Sequence, residues 1–388
     1  MMGNTPNIRF KGFTDDWEQR KLIDYLEVSS EKNRDNRFTK DDVLSVSGEY
    51  GIVNQIEFQG RSFAGASVSN YGVVENGDVV YTKSPLKSNP YGIIKTNKGI
   101  PGIVSTLYAV YKPKEITDSK FVQIYFELDS RMNSYMHPLV NKGAKNDMKV
   151  SAENALKGMV SFPKKDEQEM ISLYFSYLDN LIALHQRKCD ETKKLKKFML
   201  QKMFPKKDEK KPEIRFAGFT DDWEQRKLVD VVDVRSGRDY KHLEEGDIPV
   251  YGTGGYMLSV NEALSDDEDA IGIGRKGTID NPYILRAPFW TVDTLFYAVP
   301  LDKYDLNFVF DIFQNVNWKA KDESTGVPSL SKATINAVET LMPEYAEQKK
   351  IGEYFSNLDN FITLHQRKCD EIKKIKKFML QNMFPQKG

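Results

Sequence analysis

Two stretches of the chain share one heptad pattern of apolar side chains, and both predict long amphipathic helices. Residues 168–203 contain neither proline nor glycine, and their seam positions alternate in steps of three and four. Such spacing is typical of a coiled coil, and about 36 residues at 1.5 Å each predict a rod of roughly 54 Å. The same pattern returns at 348–383. The seam positions are Ile171, Phe175, Leu178, Ile182, His185, Cys189, Thr192, Leu195 and Met199, then Ile351, Phe355, Leu358, Ile362, His365, Cys369, Ile372, Ile375 and Met379.

Shorter apolar runs, separated by turn residues, predict a β-rich domain before each helix. The first domain has such runs at 71–74, 78–81, 91–94 and 104–111, followed by a helical pattern at 121–136. The second has them at 248–251, 270–273, 283–285 and 294–299, followed by a helical pattern at 307–316. The runs STLYAVYKP and DTLFYAVPL resemble each other and predict corresponding strands, so the two domains are expected to share a fold.

The chain repeats its framework and varies what lies between. The opening segments, 8–22 and 214–228, match at 14 of 15 positions, and the closing segments, 168–205 and 348–385, match at 28 of 38. The inserts at 23–167 and 229–347 have little in common and differ in length, 145 against 119 residues. A constant framework with two different inserts indicates recognition of two targets more than catalysis of one reaction.

Composition and charge exclude several classes of protein. The net charge is zero, but the second insert carries 10 basic and 21 acidic side chains, net −11, against 19 and 18 in the first. Bulk charge is therefore not that of a solitary DNA-binding protein, whose affinity grows with the phosphates it neutralises. No P-loop, catalytic triad or metal-ligand spacing is present, and no apolar run is long enough to span a membrane. A cytoplasmic protein is expected, with Cys189 and Cys369 as free thiols in a helix interface.

Exposed loops of both inserts carry side chains that bind base edges and phosphates. For any single residue, an ordinary surface position remains the simpler interpretation. The DNA-binding candidates are Lys83, Ser84, Lys87, Asn89, Tyr91, Lys142, Lys145, Asn146, Lys149, Tyr251, Thr253, Tyr256, Arg275, Lys276, Thr278, Ser324, Thr325, Ser329 and Ser331.

The helix pattern leaves the relative orientation of the two helices open. The two seams are expected to pair with each other, but periodicity alone does not choose between parallel and antiparallel pairing. His185 and His365 lie on the seam and are expected to be buried structural histidines. The lysines spread around each helix favour a solvated face over a partner-binding patch. They are Lys193, Lys194, Lys196 and Lys197, with Lys373, Lys374, Lys376 and Lys377.

Taken together, the motifs resemble those of the specificity subunit of type I restriction–modification systems. The resemblance covers essentially the whole chain and rests on IRFKGFTDDWEQRKL, Gly274–Thr278, Gly326–Ser331 leading to Met342-Pro343, Glu347–Ile351, and the helix LDNFITLHQRKCDEIKKIKKFMLQNMFP. Each motif is weak alone, and the doubled arrangement is what makes the resemblance specific.

The resemblance implies an α+β fold: two mixed α/β target recognition domains separated by an antiparallel pair of long helices, with internal pseudo-twofold symmetry. It places the first recognition domain at 1–167, the first spacer helix at 168–205, the linker and second domain at 206–347, and the second helix and tail at 348–388.

The resemblance also implies a function. The chain would be non-catalytic, each domain would read one half of a bipartite double-stranded DNA target, and the helices would set the spacing. Two methyltransferase subunits would bind S-adenosylmethionine, and restriction subunits would bind ATP and Mg²⁺, with no cofactor on this chain. A coiled-coil adaptor with two protein-binding domains is the alternative, which the neutral net charge favours slightly.

Overall fold

The computed structural model describes residues 5–83, 89–140, 150–206 and 208–385. The chain divides into two compact units. One contains residues up to Leu184 together with those from Lys368 onward, and the other is the continuous stretch His185–Arg367. Each of the two long helices therefore begins in one unit and ends in the other.

The first unit is built on a four-stranded antiparallel sheet in the order β2–β9–β6–β7, with small two-stranded sheets beside it. Its strands are β1 Glu18–Lys21, β2 Leu26–Val28, β3 Leu44–Ser47, β4 Gly51–Asn54, β5 Gly72–Val74, β6 Val79–Thr82, β7 Ile94–Thr96, β8 Gly102–Val104, β9 Tyr108–Pro113 and β10 Met159–Phe162. Its helices are α1 Gln55–Gln59, α2 Ser119–Tyr125, α3 Asp129–Met136, α4 Ala152–Ala155 and the start of α5 Lys165–Lys202.

The second unit repeats that design with different residues. Its four-stranded sheet has the order β12–β18–β15–β16, which matches the first sheet strand for strand, as the two similar runs predict. Its strands are β11 Glu224–Lys227, β12 Val232–Ser236, β13 Glu245–Gly252, β14 Gly255–Val260, β15 Ala270–Gly274, β16 Tyr283–Leu285, β17 Trp290–Thr291, β18 Leu295–Pro300 and β19 Glu339–Met342. Its helices are α6 Leu306–Asn315, α7 Lys332–Asn336 and most of α8 Tyr345–Asn382.

In each unit the opening segment, 8–22 or 214–228, is bonded to residues at the start of a long helix. This contact gives a physical reason why the two opening segments are nearly identical in sequence. In the first unit β1 pairs antiparallel with β10, and the guanidinium of Arg9 donates two hydrogen bonds of 2.7 Å to the buried carboxylate of Glu167. In the second unit β11 pairs with β19, and Arg215 binds Glu347 in the same two-pronged way. A bidentate pair fixes geometry as well as charge, so these bonds position the helix.

Within each unit the two long helices run antiparallel. In the first unit Asp179 binds Lys376, and Cys369 Sγ lies 4.0 Å from the carbonyl of Ile182, so residue numbers rise on α5 as they fall on α8. In the second unit Asp359 binds Lys196. Cys189 Sγ likewise lies 3.9 Å from the carbonyl of Ile362. The antiparallel pair that the resemblance implied is confirmed, and both cysteines are buried free thiols, as expected.

The C-terminal end of each helix completes a hydrophobic core. Phe204, which follows α5, packs against Trp223 and Phe308 with ring centroids 5.8 and 5.4 Å away. Phe384, which follows α8, lies 5.9 Å from Trp17 in the first unit. Phe204 and Phe384 thus anchor the two cores just beyond the ends of the long helices.

The predicted seam is wrong at one position in each helix. Leu195 and Ile375 are 45% and 47% exposed, and the next residue takes the inward position instead. Lys196 is 8% exposed and its Nζ lies 2.6 Å from both carboxylate oxygens of Asp359. Lys376 Nζ lies 2.6 Å from Asp179 and from Glu127. Two of the eight lysines assigned to a solvated face are therefore paired and largely buried, because carboxylates on the facing elements receive them.

The seam histidines are half-buried, so the prediction of buried histidines is corrected. Their Nδ1 atoms lie 3.0 Å apart inside the second unit, so one ring must donate a proton that the other accepts. Partial burial, followed by the charges of His185 and Lys188, lowers the pKa of His365.

Three predicted elements differ from those observed. The helical pattern at 121–136 is two helices, and the break between them turns Glu127 toward Lys376. The run at 104–111 is divided between β8 and β9 by a turn in which Tyr108 N–H donates to the Ser105 carbonyl. The run at 91–94 forms a strand only from Ile94. Within the described ranges, no helix combines the length and apolar content that crossing a membrane takes.

Replacing Asp311 by asparagine is expected to stabilise the protein at neutral pH. Burial is the largest cause that raises the pKa of Asp311 well above its usual value, although Lys196 opposes the shift. Folding therefore takes up a proton between the unfolded and folded pKa values, so stability falls as pH rises through that window and the cost persists above it. Asparagine carries no charge at any pH.

The midpoint of thermal unfolding of D311N should exceed that of the wild type by about 3 °C at pH 7. The gain should be much smaller near pH 4, where about half of the aspartate side chains are already protonated in the unfolded chain. D302N, at an exposed aspartate, serves as the control. An equal gain for D311N at pH 4 and pH 7 would contradict the prediction.

Candidate nucleic-acid interface

A tight turn after β15 presents Arg275 and Lys276 to solvent. A Cβ on Gly274 would lie 2.0 Å from the carbonyl oxygen of Thr278, and Gly277 has φ near +98°, so both positions favour glycine. The backbone N–H groups of Arg275 and Lys276 both donate to the carbonyl of Thr294, at 2.8 and 3.3 Å. The backbone is therefore tied to the sheet while the two cationic side chains project outward.

The segment 322–331 closes over this turn. Asp322 Oδ1 accepts hydrogen bonds from the backbone N–H groups of Ser324 and Ser329, at 3.0 and 2.9 Å, and from the Ser324 hydroxyl. The backbone bond from Ser329, then those from Ser324, lower the pKa of Asp322, which stays ionised. The carbonyl of Arg275 accepts a bond of 2.9 Å from Leu330 N–H. Two segments that are distant in the sequence thus form one surface.

Between the turn and this segment lies a cleft of about 810 Å³. It brings together six predicted residues, Arg275, Lys276, Ser324, Thr325, Ser329 and Ser331. Not all of them are available to a ligand. The Ser331 hydroxyl caps α7 through Thr334 N–H and donates to Glu323, while the Ser324 hydroxyl donates to Asp322.

A second cleft, of about 730 Å³, has Asp293 and Thr294 in its lining, and the guanidinium of Arg275, a residue of the first cleft, donates to the Asp293 carbonyl at 3.3 Å. It is lined by Thr253 and Tyr256, two further predicted residues, and Tyr256 is 63% exposed. Tyr251 packs instead against the rings of Tyr256 and Tyr283, at 6.4 and 6.0 Å between centroids. Thr278 lies exposed beside Gly277.

The first unit offers Lys83 at the position that Arg275 occupies in the second. Lys83 follows β6, and its N–H donates to the carbonyl of Leu107 just before β9, as Arg275 does to Thr294 before β18. Burial and then the charge of Lys32 lower the pKa of Lys83. The equivalence of strand order and hydrogen bond places one cationic side chain at the same end of each sheet.

Two predicted residues of the first unit are engaged internally. Asn89 is buried, and its Nδ2 donates to Asp129 Oδ1 at 2.6 Å. Tyr91 packs against the core, and its carbonyl accepts a bond from the Tyr81 hydroxyl. Ser84, Lys87, Lys142, Lys145, Asn146 and Lys149 lie outside the described residues.

Lys332 was missed by the sequence analysis, although it lines the first cleft and is exposed. The available signal was its place directly after Ser331, a predicted residue that lines the same cleft and caps α7. Arg235, by contrast, is held by Glu268 and Asp233 and faces neither cleft. Local basic character at Arg275, Lys276 and Lys332 thus coexists with an acidic domain.

Comparison with known proteins identifies the scaffold. Residues 220–374 match the family model of the type I restriction modification DNA specificity domain. The type I restriction enzyme MjaVIII specificity subunit of Methanocaldococcus jannaschii is 24% identical over 332 residues, covering 75% of this chain and 74% of that protein. Over most of its length the chain is similar to type I restriction enzyme specificity subunits.

Structural similarity extends over both halves of the chain. The crystal structure of the type I restriction–modification system S subunit from M. genitalium aligns with a TM-score of 0.71 at 15% identity, covering 99% of this chain and all of that one. At that identity the match establishes the fold, which is the predicted α+β fold of two mixed domains with paired long helices. The adaptor interpretation is not favoured.

Proposed function

We propose that this chain is the non-catalytic subunit that gives a type I restriction–modification complex its DNA sequence specificity. Each domain reads one half of a bipartite double-stranded target, and the long helices set the distance between the halves. The observation that carries the proposal is the doubled sheet with the same strand order and different side chains at the same end, Lys83 in one domain and Arg275 with Lys276 in the other.

The clefts of the second domain support DNA as the ligand. Arginine and lysine side chains bind guanine edges and phosphates, and serine or threonine hydroxyls bind either. Arg275, Lys276 and Lys332 are the cationic side chains of the first cleft, where Glu323 is acidic and disfavours indiscriminate phosphate binding. Of the nineteen predicted residues, Asn89 and Tyr91 are engaged inside the first domain, and the others, Tyr256 and Thr253 included, are the candidates for contacts with bases or with the DNA backbone.

Both copies of the helix leave the same apolar positions exposed, which supports docking of two methyltransferase subunits. In the first unit these are Leu184, Ile375 and Phe378, and in the second their repeat equivalents Leu364, Leu195 and Phe198. Ile375 with Phe378, and Leu195 with Phe198, stand three residues apart on one face of a helix, and contiguous apolar patches on a charged surface mark protein interfaces. The partners would bring S-adenosylmethionine, and restriction subunits ATP and Mg²⁺, in the cytoplasm; much of the phosphate contact would come from them.

The proposal is tested by expressing the chain with its methyltransferase partner and mapping methylated adenines genome-wide. One bipartite motif with a fixed gap is expected. Methylation without a sequence motif would reject DNA specificity, and binding of a protein partner alone would support the adaptor instead.

The double variant R275A/K276A should weaken recognition through the second domain only. Loss of a base contact and a phosphate contact is expected to lower affinity for the full target by about 10- to 100-fold. Binding is measured with the assembled methyltransferase on target and random DNA, so that loss of preference is separated from loss of charge. R286A removes an exposed arginine that lines neither cleft, and it should bind as the wild type does. Unchanged binding by R275A/K276A would remove the turn from the interface.

A further inference from the structure

In each unit, one lysine of a long helix is buried against an aspartate of the other helix. The side chain of Lys196 is 10% exposed and that of Lys376 is 14% exposed, whereas their partners Asp359 and Asp179 are 36% and 40% exposed. The Nζ to carboxylate distance is 2.6 Å in both pairs. Each lysine takes the inward position that the heptad pattern assigns to the preceding apolar residue, Leu195 or Ile375.

The two ion pairs are equivalent contacts that the sequence repeat relates to each other. Asp179 and Asp359 are equivalent in the repeat, as are Lys196 and Lys376, because the closing segments 168–205 and 348–385 align without a gap. Every closing segment thus carries an aspartate and, further along the helix, a lysine at the same separation from it. Antiparallel pairing brings the aspartate of one segment to the lysine of the other. Parallel pairing would bring aspartate level with aspartate and lysine level with lysine.

The same contact also distinguishes registers. The seam repeats every heptad, so apolar packing alone tolerates a slip of one heptad, about 10 Å along the helix. Such a slip would move Lys196 and Lys376 about 10 Å away from their aspartates while both lysines keep their inward positions. An unpaired charge in that position is strongly unfavourable, because it keeps the desolvation cost and loses the attraction.

A carboxyl group from each recognition domain joins the pair. In the first unit Glu127 lies 2.6 Å from Lys376 Nζ. Burial acts to lower the pKa of Lys376, but Glu127 and Asp179 outweigh it and the pKa is raised. In the second unit the third group is Asp311 on α6, a helix of the recognition domain, and Lys196 Nζ lies 5.7 Å from the ring of the adjacent Phe310. The cluster therefore connects the helix pair to its domain.

Stability alone does not account for these residues. A partly exposed ion pair contributes little to folding, and apolar side chains of similar size in such a site are often as stabilising or more so. A charged residue on a coiled-coil seam instead selects orientation and register at some cost in stability.

We propose that Lys196–Asp359 and Lys376–Asp179 are positioning pairs that fix the antiparallel orientation and the register of the two long helices. The further consequence, that they fix the gap between the two DNA half-sites, rests on the proposed function. None of the four residues contacts DNA in this proposal; they act by holding the helices and, through them, the domains.

Reversal of the charges tests the pairing without any DNA. The background is E127Q/D311N, so that the third carboxyl group carries no charge. There, D179K/K196D places like charges together in both pairs and should lower the midpoint of thermal unfolding by at least about 5 °C. Adding D359K/K376D restores opposite charges and should recover most of that loss. If the fourfold variant is no more stable than D179K/K196D in this background, the pairing is overturned. The same conclusion follows if D179K/K196D fails to fold and the fourfold variant fails as well.

An apolar replacement separates positioning from stability. D179L/K196M/D359L/K376M in the same background should unfold within about 5 °C of the wild type or above it. With the methyltransferase partner, it should methylate the same two half-sites at more than one gap. The control K197M/K377M makes the same lysine-to-methionine change at the neighbouring, exposed positions of the same helices and should keep one gap. A single wild-type gap in the apolar variant overturns the positioning role. A wild type without a bipartite motif would reject the proposed function, while the charge-reversal experiment would still decide the pairing.

Discussion

Exchange of residues 23–158 for the corresponding insert of another specificity subunit is expected to change one half-site completely and leave the other untouched. The cut lies before β10 so that Met159–Phe162 stays paired with Glu18–Lys21, and Glu167 stays bound to Arg9. The second unit, with its own sheet and core, needs nothing from the exchanged residues. Methylated-adenine mapping with the cognate methyltransferase provides the measurement.

The chain supplies its own matched control. Residues 229–338 stand in the same relation to the framework, because β11 pairs with β19 as β1 pairs with β10. Placing a second copy of 229–338 where 23–158 stood should produce a target whose two half-sites are identical. A change in both half-sites after either exchange would contradict the modular arrangement.

Lengthening both long helices by one heptad is expected to widen the gap between half-sites without altering either of them. Insertion of one heptad after Gln186 and another after Gln366 falls between the two lysine–aspartate pairs, so each pair survives within its own unit. A heptad adds about 10 Å, which limits the change to roughly three base pairs.

Insertion into one helix alone is the informative comparison. It displaces the facing seam of one helix against an unaltered partner, so the ion pairs and the apolar contacts cannot all be kept. The single insertion should therefore lower the midpoint of thermal unfolding and abolish methylation. The double insertion should preserve the midpoint and the methylation. An unchanged gap in the double insertion would mean that the helices do not set the spacing.

Heptad periodicity is a local property, and it predicts the long helices from the sequence alone. It failed at Leu195, where apolar character favoured the wrong residue of two neighbours, since the inward position of Lys196 depends on Asp359, which is far away in the chain. The orientation came from the resemblance, yet a signal was present. An aspartate and a lysine stand at the same separation in each copy, and they match opposite charges only when the copies run antiparallel.

The candidate interface could be predicted only in part, and for a similar reason. Arg275 and Ser324 were each predicted as DNA-binding residues because they lie in exposed loops. Only the fold places both in one cleft. Asparagine is common in exposed turns, but the side-chain amide of Asn89 donates a hydrogen bond to Asp129 inside the domain. Local sequence identifies donors and acceptors; which of them remain available depends on partners that are distant in the chain.

Burial of Phe384 beside Trp17 has a consequence for the order in which the protein is made. Phe384 follows the whole second unit in the sequence, so the core of the first unit stays incomplete during synthesis until that residue has left the ribosome. The second unit is one continuous stretch, with Phe204 already present, and can close earlier. The half that is translated later should therefore be the first to fold, and the half translated first should depend longest on protection from aggregation.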